Sequence, residues 1–459
     1  MRIEKDFLGE IEVPVNAYWG SNTQRAINNF KISGKKFPLS FIRAIVVVKK
    51  ACLYANLELG LIDPDKAEAI SQAINEILIE NKYLDQFPLD IFQTGSGTQI
   101  NMNINEVIAN RANEILGHPL GKKFPVHPND DVNKSQSSND VIPTAMHIAC
   151  IAQINNELFP AINHLIDILD NKIKEFTDII KVGRTHLQDA VPIPLSMEFQ
   201  VYRHQISTIK KNIIHAYEQL FYLPIGGTAL GTGINAPKEF GEIVIKYLNK
   251  FEGKGYKVNP VKAEGIASHN TLVYVSSMLR LLALALLKMA NDIRWMGSGP
   301  RAGLGELILP QNEPGSSIMP GKVNPTQSEA LIQVCLQIMG NDLTISLGEA
   351  YGSILDLNVC KPLIITNLLD SITILSNGIR SFTDNCLSDL KANKEQCTSK
   401  LAKTLMIVTN LVPLIGYDKA SEIAKKAYET GKTIKEIITE MGLNLNQDLD
   451  ELLDPKKMI

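Results

Sequence analysis

Residues Gly315 to Asn324 read Gly-Ser-Ser-Ile-Met-Pro-Gly-Lys-Val-Asn, placing two hydroxyls, a lysine and a carboxamide on one stretch with two glycines. Glycine permits hinge angles that larger residues resist, so this stretch can close over a ligand. No carboxylate lies inside it to neutralise Lys322, which makes an anion the ligand it suits. The continuation Asn324-Pro325-Thr326-Gln327 reads as an N-cap, a first-turn proline and a capping box closed by Gln327. Unpaired backbone donors and the positive end of that helix's dipole would add to the pull of Lys322 on a carboxylate or phosphate.

Three more segments share this design, with hydroxyl or amide donors at a turn and a helix close by. Thr94-Gly95-Ser96-Gly97-Thr98-Gln99 precedes the apolar pattern through Met102, Ile104, Val107 and Ile108. Ser135-Gln136-Ser137-Ser138-Asn139-Asp140 precedes a long helical pattern with Pro143 in its opening turn. Gly183-Arg184-Thr185-His186-Leu187-Gln188-Asp189 comes before Pro192 and Pro194 at the head of another. Alone, each could be a cap or a turn. Together they suit a small substrate with more than one carboxylate, held by neutral donors and one lysine. These loops supply no cluster of carboxylates, thiols or histidines for a metal, and no Walker-type run for a mononucleotide.

Of the eight histidines, His186 lies inside such a loop, where an imidazole can give or take a proton near neutral pH. Glu329, in the first turns after Asn324, is the candidate to orient it, because a carboxylate behind a histidine raises its basicity and fixes its tautomer. The structural reading is kept for His118, His147, His164, His204, His215 and His269.

The elements that position these loops are helical. The 459 residues allow about three domains. A content of 45% hydrophobic and 21% charged residues is that of a folded globular chain. With 46 basic and 49 acidic residues the net charge is -3, so no general field favours nucleic acid or a membrane surface. Residues 1–138 mix short apolar stretches with turn signals and predict a domain of shorter helices. Residues 139–388 carry five long helical patterns, roughly 141–176, 195–222, 267–297, 325–350 and 361–387. They predict a central bundle. Residues 389–459 predict a small domain with helices over Lys419–Thr430 and Ile434–Met441.

The run Leu281–Leu287 is apolar on nearly every side, more than one chain's bundle would bury, and points to burial by neighbouring subunits. It is bounded by Arg280 and Lys288 and is too short to span a bilayer. The six cysteines form no Cys-x-x-Cys pair and read as reduced core residues. Charges in Met1-Arg2-Ile3-Glu4-Lys5-Asp6 oppose a secretory signal and lead us to expect a cytoplasmic protein.

In identity and order the four loops resemble the fumarase/aspartase superfamily, and over nearly the whole chain the resemblance is to class II fumarases. It rests on Gly315-Ser316-Ser317-Ile318-Met319-Pro320-Gly321-Lys322-Val323-Asn324-Pro325, on Thr326-Gln327-x-Glu329-Ala330, and on Thr94-Gly95-Ser96-Gly97-Thr98-Gln99. Lys262-x-Glu264 and Ser268-His269 also sit nearer the fumarase pattern. The resemblance implies a mainly α, three-domain subunit whose central five-helix bundle packs into a homotetrameric helical core. Each active site would draw loops from three chains. It further implies reversible hydration of fumarate to L-malate through an aci-carboxylate, without metal or organic cofactor.

The residue roles that follow are implied by the same resemblance. Lys322 and Asn324 would bind the carboxylate on which charge develops. Ser96, Thr98, Ser137, Ser138, Asn139 and Thr185 would hold the substrate's other oxygens. Ser316 would remove the carbon-bound proton, and His186 backed by Glu329 would assist departure of hydroxide. His127, Asn129 and Asp130 resemble a second, peripheral anion site, though His127-Pro128-Asn129-Asp130 reads equally as turn chemistry. Ile100, Ser328, Ala302 and Cys360 depart from the usual fumarase pattern. Ala302 and Phe382-Thr383-Asp384-Asn385-Cys386 look more like aspartases. Aspartate ammonia-lyase is therefore the alternative, and a helical scaffold without activity the remote one.

Overall fold

The protein is described here by a computed structural model covering every residue except Asn446. It is mainly α, with seventeen α-helices and only short two-stranded sheets among the described residues. Two compact units are distinguished, and each combines segments distant in sequence.

The first unit comprises residues 1–160, 211–281 and 336–375. It opens with the hairpin Arg2–Asp6/Gly9–Val13, paired from Arg2↔Val13 to Asp6↔Gly9. The Arg2 guanidinium ties it down by donating to Glu4 and to the carbonyls of Pro14, Val15, Ala17 and Trp19. Helix Leu39–Glu58 is buried through Ile42, Ile45, Val46, Val48, Cys52 and Leu53. The turn signal Asp63-Pro64 becomes a helix start, with Asp63 accepting from the N–H groups of Asp65 and Lys66 and Pro64 in the first turn. Helix Thr98–Ile115 buries Glu106, whose carboxylate accepts from Gly20, Asn22 and both donors of Thr23. That fixes the segment entering helix Ser21–Asn29.

The second unit comprises residues 161–210, 282–335 and 376–459. It holds the hairpin Ile180–Thr185/Gln188–Pro194 and, at its C-terminal end, helices Tyr417–Thr430 and Ile434–Glu440. These helices close over Leu411, Ile423, Ala427, Ile434, Ile437 and Ile438.

The five long patterns correspond to helices Ser138–Gln153 with Phe159–Glu175, Leu195–Gln219, Asn270–Met296, Thr326–Gly352, and Lys361–Phe382. The first is not one continuous α-helix as its periodicity suggests. A π-turn at Ile154–Leu158 interrupts it directly before Pro160 in the following helix. A proline lacks the N–H that would continue the i→i−4 ladder, and a wider turn accommodates the loss. Another π-turn, Thr383–Leu387, extends the last helix to the expected end.

Among the described residues, three helical stretches, Asn270–Met296, Thr326–Gly352 and Lys361–Leu387, are long and apolar enough to cross a membrane. Of the most apolar part of each, 50%, 33% and 56% is buried within the chain. In the Leu281–Leu287 run, Leu282, Ala283 and Leu286 are buried while Leu281 and Leu284 stand exposed. Helix Thr326–Gly352 buries Leu331 and Ile338 but exposes Leu336, Leu343 and Leu347.

Candidate active site

In the first unit, Gly95 is fixed by crowding. A Cβ there would stand 1.4 Å from the Val359 carbonyl oxygen, and the Lys361 N–H donates to the Gly95 carbonyl at 3.0 Å. Gly97 then takes φ +78°, a left-handed conformation that turns the chain into helix Thr98–Ile115. The result is a line of three hydroxyls. Ser96 Oγ lies 2.8 Å from Thr98 Oγ1, which lies 2.9 Å from Ser138 Oγ. Residues 40 apart in sequence are thus brought together at the starts of two helices.

Ser137 caps the second helix. Its Oγ accepts from the Asn139 N–H, and its own N–H donates to Asp140 Oδ1 at 3.0 Å. Asn139 Nδ2 donates to the Ala229 carbonyl at 2.9 Å. A cavity of about 160 Å³ opens beside this turn, lined by Ser135, Gln136, Ser137, Thr228, Ala229, Ile234 and Asn235. Sequence reasoning missed the groups behind it. Asp140 and Lys49 are both buried, and the signal for Lys49 was a charge set inside an apolar helix, between Val46-Val47-Val48 and Ala51-Cys52-Leu53. Burial raises the Asp140 carboxyl to about 6 against the pull of its backbone donors, and burial lowers the Lys49 ammonium to about 7.

In the second unit, the hairpin Ile180–Thr185/Gln188–Pro194 pairs Thr185 with Gln188 across a two-residue turn of His186 and Leu187. Both turn residues have positive φ, +56° and +60°, as a primed hairpin turn requires. Neither is glycine, so the backbone is strained where it presents the imidazole to solvent. At the base, Glu306 is 0% exposed and takes ion pairs from Arg184 at 2.8 Å and Lys181 at 3.5 Å. Lys181 also pairs with Glu198, so carboxylates from two other segments grip the strand that ends at Thr185.

The Gly315–Asn324 stretch is a loop with a narrow neck. The Asn324 amide donates to the Gly315 carbonyl, and a Cβ on Gly315 would sit 1.9 Å from the Lys322 carbonyl oxygen. Gly321 has φ +81°. Ser316 Oγ accepts from the N–H groups of Ile318 at 3.3 Å and Met319 at 3.0 Å. Lys322 and Asn324 line a cavity of about 370 Å³ with Arg294, Trp295 and Ser298.

Two local expectations are corrected here. The helix begins at Thr326, and Gln327 accepts from Ser381 Oγ rather than closing a capping box. The Asn324 side chain is turned to the loop neck, where its amide donates to the Gly315 carbonyl, and the contact to Ser381 draws Gln327 away from the turn. Glu329 is exposed near the start of that helix, and among the described residues no hydrogen bond or ion pair joins it to His186 within the chain.

His127 serves as a cap. Its Nδ1 accepts from the Asn129 and Asp130 N–H groups, each at 3.2 Å, while the His127 N–H donates to Asp131. Asn129 and Asp130 are exposed. Among the other histidines, His147 Nδ1 pairs with the Leu220 carbonyl, His164 with Asp384, and burial depresses His147 to about 4.

Comparison with known proteins agrees with this fold. The family described as lyase matches residues 9–340, and the one described as fumarase C C-terminus matches residues 407–459. A class II fumarate hydratase from Thermosynechococcus vestitus is 51% identical, with 98% of this chain and 96% of that protein covered. One from Bacillus subtilis is 47% identical over 100% of this chain and 98% of its own. A class II fumarase structure from Schistosoma mansoni superposes with a TM-score of 0.96 at 39% identity, covering 100% and 98% of the two chains. The chain belongs to this lyase family, and within it to the class II fumarate hydratases.

Proposed function

We propose that the protein catalyses reversible hydration of fumarate to L-malate as a hydro-lyase of the fumarate hydratase class, and that its four donor loops do the chemistry. The observation that carries the reading is full-length similarity to class II fumarate hydratases combined with an intact donor set in those loops.

Removing the proton next to a carboxylate makes an aci-carboxylate dianion, so the dominant task is to stabilise charge developing on oxygen. Lys322 and Asn324 receive that carboxylate. Thr98, Ser138 and Asn139, supported by Ser96 and Ser137, hold the other oxygens together with Thr185. Ser316 takes the carbon-bound proton. Its Oγ already accepts two backbone N–H bonds, and these would stabilise an alkoxide and make a serine a usable base once the loop excludes water. On the opposite face of the substrate His186 delivers a proton to the departing hydroxide, directly or through a water, with Glu329 orienting its ring. The steps need no metal or organic cofactor.

The subunit is read as three domains, 1–138, 139–388 and 389–459, assembled as a homotetramer whose sites each use loops from three chains. Two facts support the shared assembly. Glu329 and His186 are unpaired with each other within one chain, and the long helices leave Leu284, Leu336, Leu343 and Leu347 uncovered. His127, Asn129 and Asp130 form at most a peripheral anion site, because the His127 acceptor nitrogen is occupied in capping. A cytoplasmic location completes the reading. The test is ultraviolet detection of fumarate released from L-malate and, in parallel, from L-aspartate. Turnover of malate alone supports hydration, and turnover of aspartate alone would replace it with ammonia elimination.

A further inference from the structure

Two buried charges stand behind the Ser137–Asn139 turn, and the chemistry above uses neither. Asp140 is 0% exposed, and its carboxylate accepts three backbone N–H bonds: Ser137 at 3.0 Å, Gly226 at 3.0 Å and Thr228 at 2.9 Å. The first lies in its own turn. The other two lie on the segment whose Ala229 carbonyl receives the Asn139 amide. Lys49 is 1% exposed, and its ammonium donates to Asn133 Oδ1 at 2.7 Å and Gln136 Oε1 at 3.0 Å. Asn133 Oδ1 also accepts from Asn101 and Asn105, both at 3.2 Å, on the helix that starts at Thr98.

An ionised group taken this far from water is costly unless its hydrogen bonds are met. Here they are met largely by groups that fix the turn. Removing the Asp140 charge would loosen the turn from the Gly226–Ala229 segment. Removing the Lys49 charge would take away the donor that Asn133 and Gln136 share and weaken the hold of helix Leu39–Glu58 on residues 133–136. Either loss acts on the 2.9 Å spacing between Thr98 and Ser138, and therefore on the preset geometry of the donors.

We propose that Asp140 and Lys49 are positioning residues for the reaction, two buried groups of opposite charge that lock the Ser138 and Asn139 donors in the arrangement a substrate carboxylate requires. The inference rests on the reading that Ser138 and Asn139 bind substrate. Donors that hold a spectator carboxylate act on ground state and transition state alike, so disturbing them raises KM more than it lowers kcat.

The experiment uses the purified, assembled protein and measures initial rates of fumarate hydration against fumarate concentration. Asp140→Asn, Lys49→Met, their combination and Ser138→Ala are compared, with circular dichroism and sedimentation for each. Asp140→Asn and Lys49→Met are expected to raise KM about tenfold or more while kcat stays within about threefold, because a small displacement of donors weakens binding steeply. The combined variant is expected to raise KM by less than the product of the single effects, since it leaves no lone buried charge. Wild-type KM in the folded single variants would overturn the proposal. So would failure of both to fold or assemble, which would assign the pair to the scaffold alone. An unchanged KM for Ser138→Ala would instead sink the site assignment, and this inference with it.

Discussion

At the residue scale the loops divide their labour by chemistry. Ser316 carries a hydroxyl already bonded by two backbone donors, whereas Lys322 carries the charge. Ser316→Ala is expected to keep assembly and thermal stability yet lose nearly all malate turnover; near-normal turnover would remove Ser316 from the base role. His186→Asn should cut turnover strongly and His127→Asn little, because the first ring stands in an exposed turn and the second is engaged in a cap. Equal losses would overturn that ranking.

Asp140 also gives a signed pH effect. Its carboxyl titrates near 6 in the folded protein against 3.8 as the ordinary value, so the folded state holds the extra proton between those values. Stability contributed by Asp140 therefore falls as pH rises through that window. Urea midpoints should accordingly show the wild type losing ground to Asp140→Asn between about pH 4 and about pH 6. The donor loops themselves were legible in the sequence, since hydroxyls and amides beside glycines are local patterns. Asp140 reads locally as the acid of a capping box, but its grip on Gly226 and Thr228, 86 and 88 residues away, belongs to the tertiary fold.

At the scale of elements, two glycines do different work. Gly95 packs within the body of its unit against the Val359 carbonyl, and an added Cβ has nowhere to go. Gly95→Ala should cost about 3 kcal/mol or more in unfolding measurements, the upper part of the range for overpacking. Gly315 closes the neck of an exposed loop, which can open without disturbing a core. Gly315→Ala should leave the melting temperature near that of the wild type while lowering turnover, and a lowered melting temperature would show the neck to be structural.

The long helices were legible from apolar periodicity because that signal repeats over several turns. Their ends were less so. The start at Thr326 depends on Asn324 being drawn to Gly315 and Gln327 to Ser381, and the break at Ile154–Leu158 depends on how the turn before Pro160 resolves its missing donor.

At the scale of the whole molecule, the proposed sharing of each site among chains makes a quantitative prediction. Two inactive variants, His186→Asn and Ser316→Ala, unfolded together in equal amounts and refolded, should regain roughly a quarter of wild-type activity. Random assembly gives that share of sites an intact copy of each loop when the loops come from different subunits. No recovery would place His186 and Ser316 on the same chain at each site. Leu343→Glu, on an uncovered helix face, should shift sedimentation toward smaller species and lower activity in step.

Those same uncovered helices decide how the protein must be made. Under the proposed assembly, a newly released chain, with three stretches among its described residues as greasy as bilayer spans, is a sticky object until it meets its own kind. Encounter rate thus competes with clumping, and slow or sparse synthesis would leave orphans in need of chaperones.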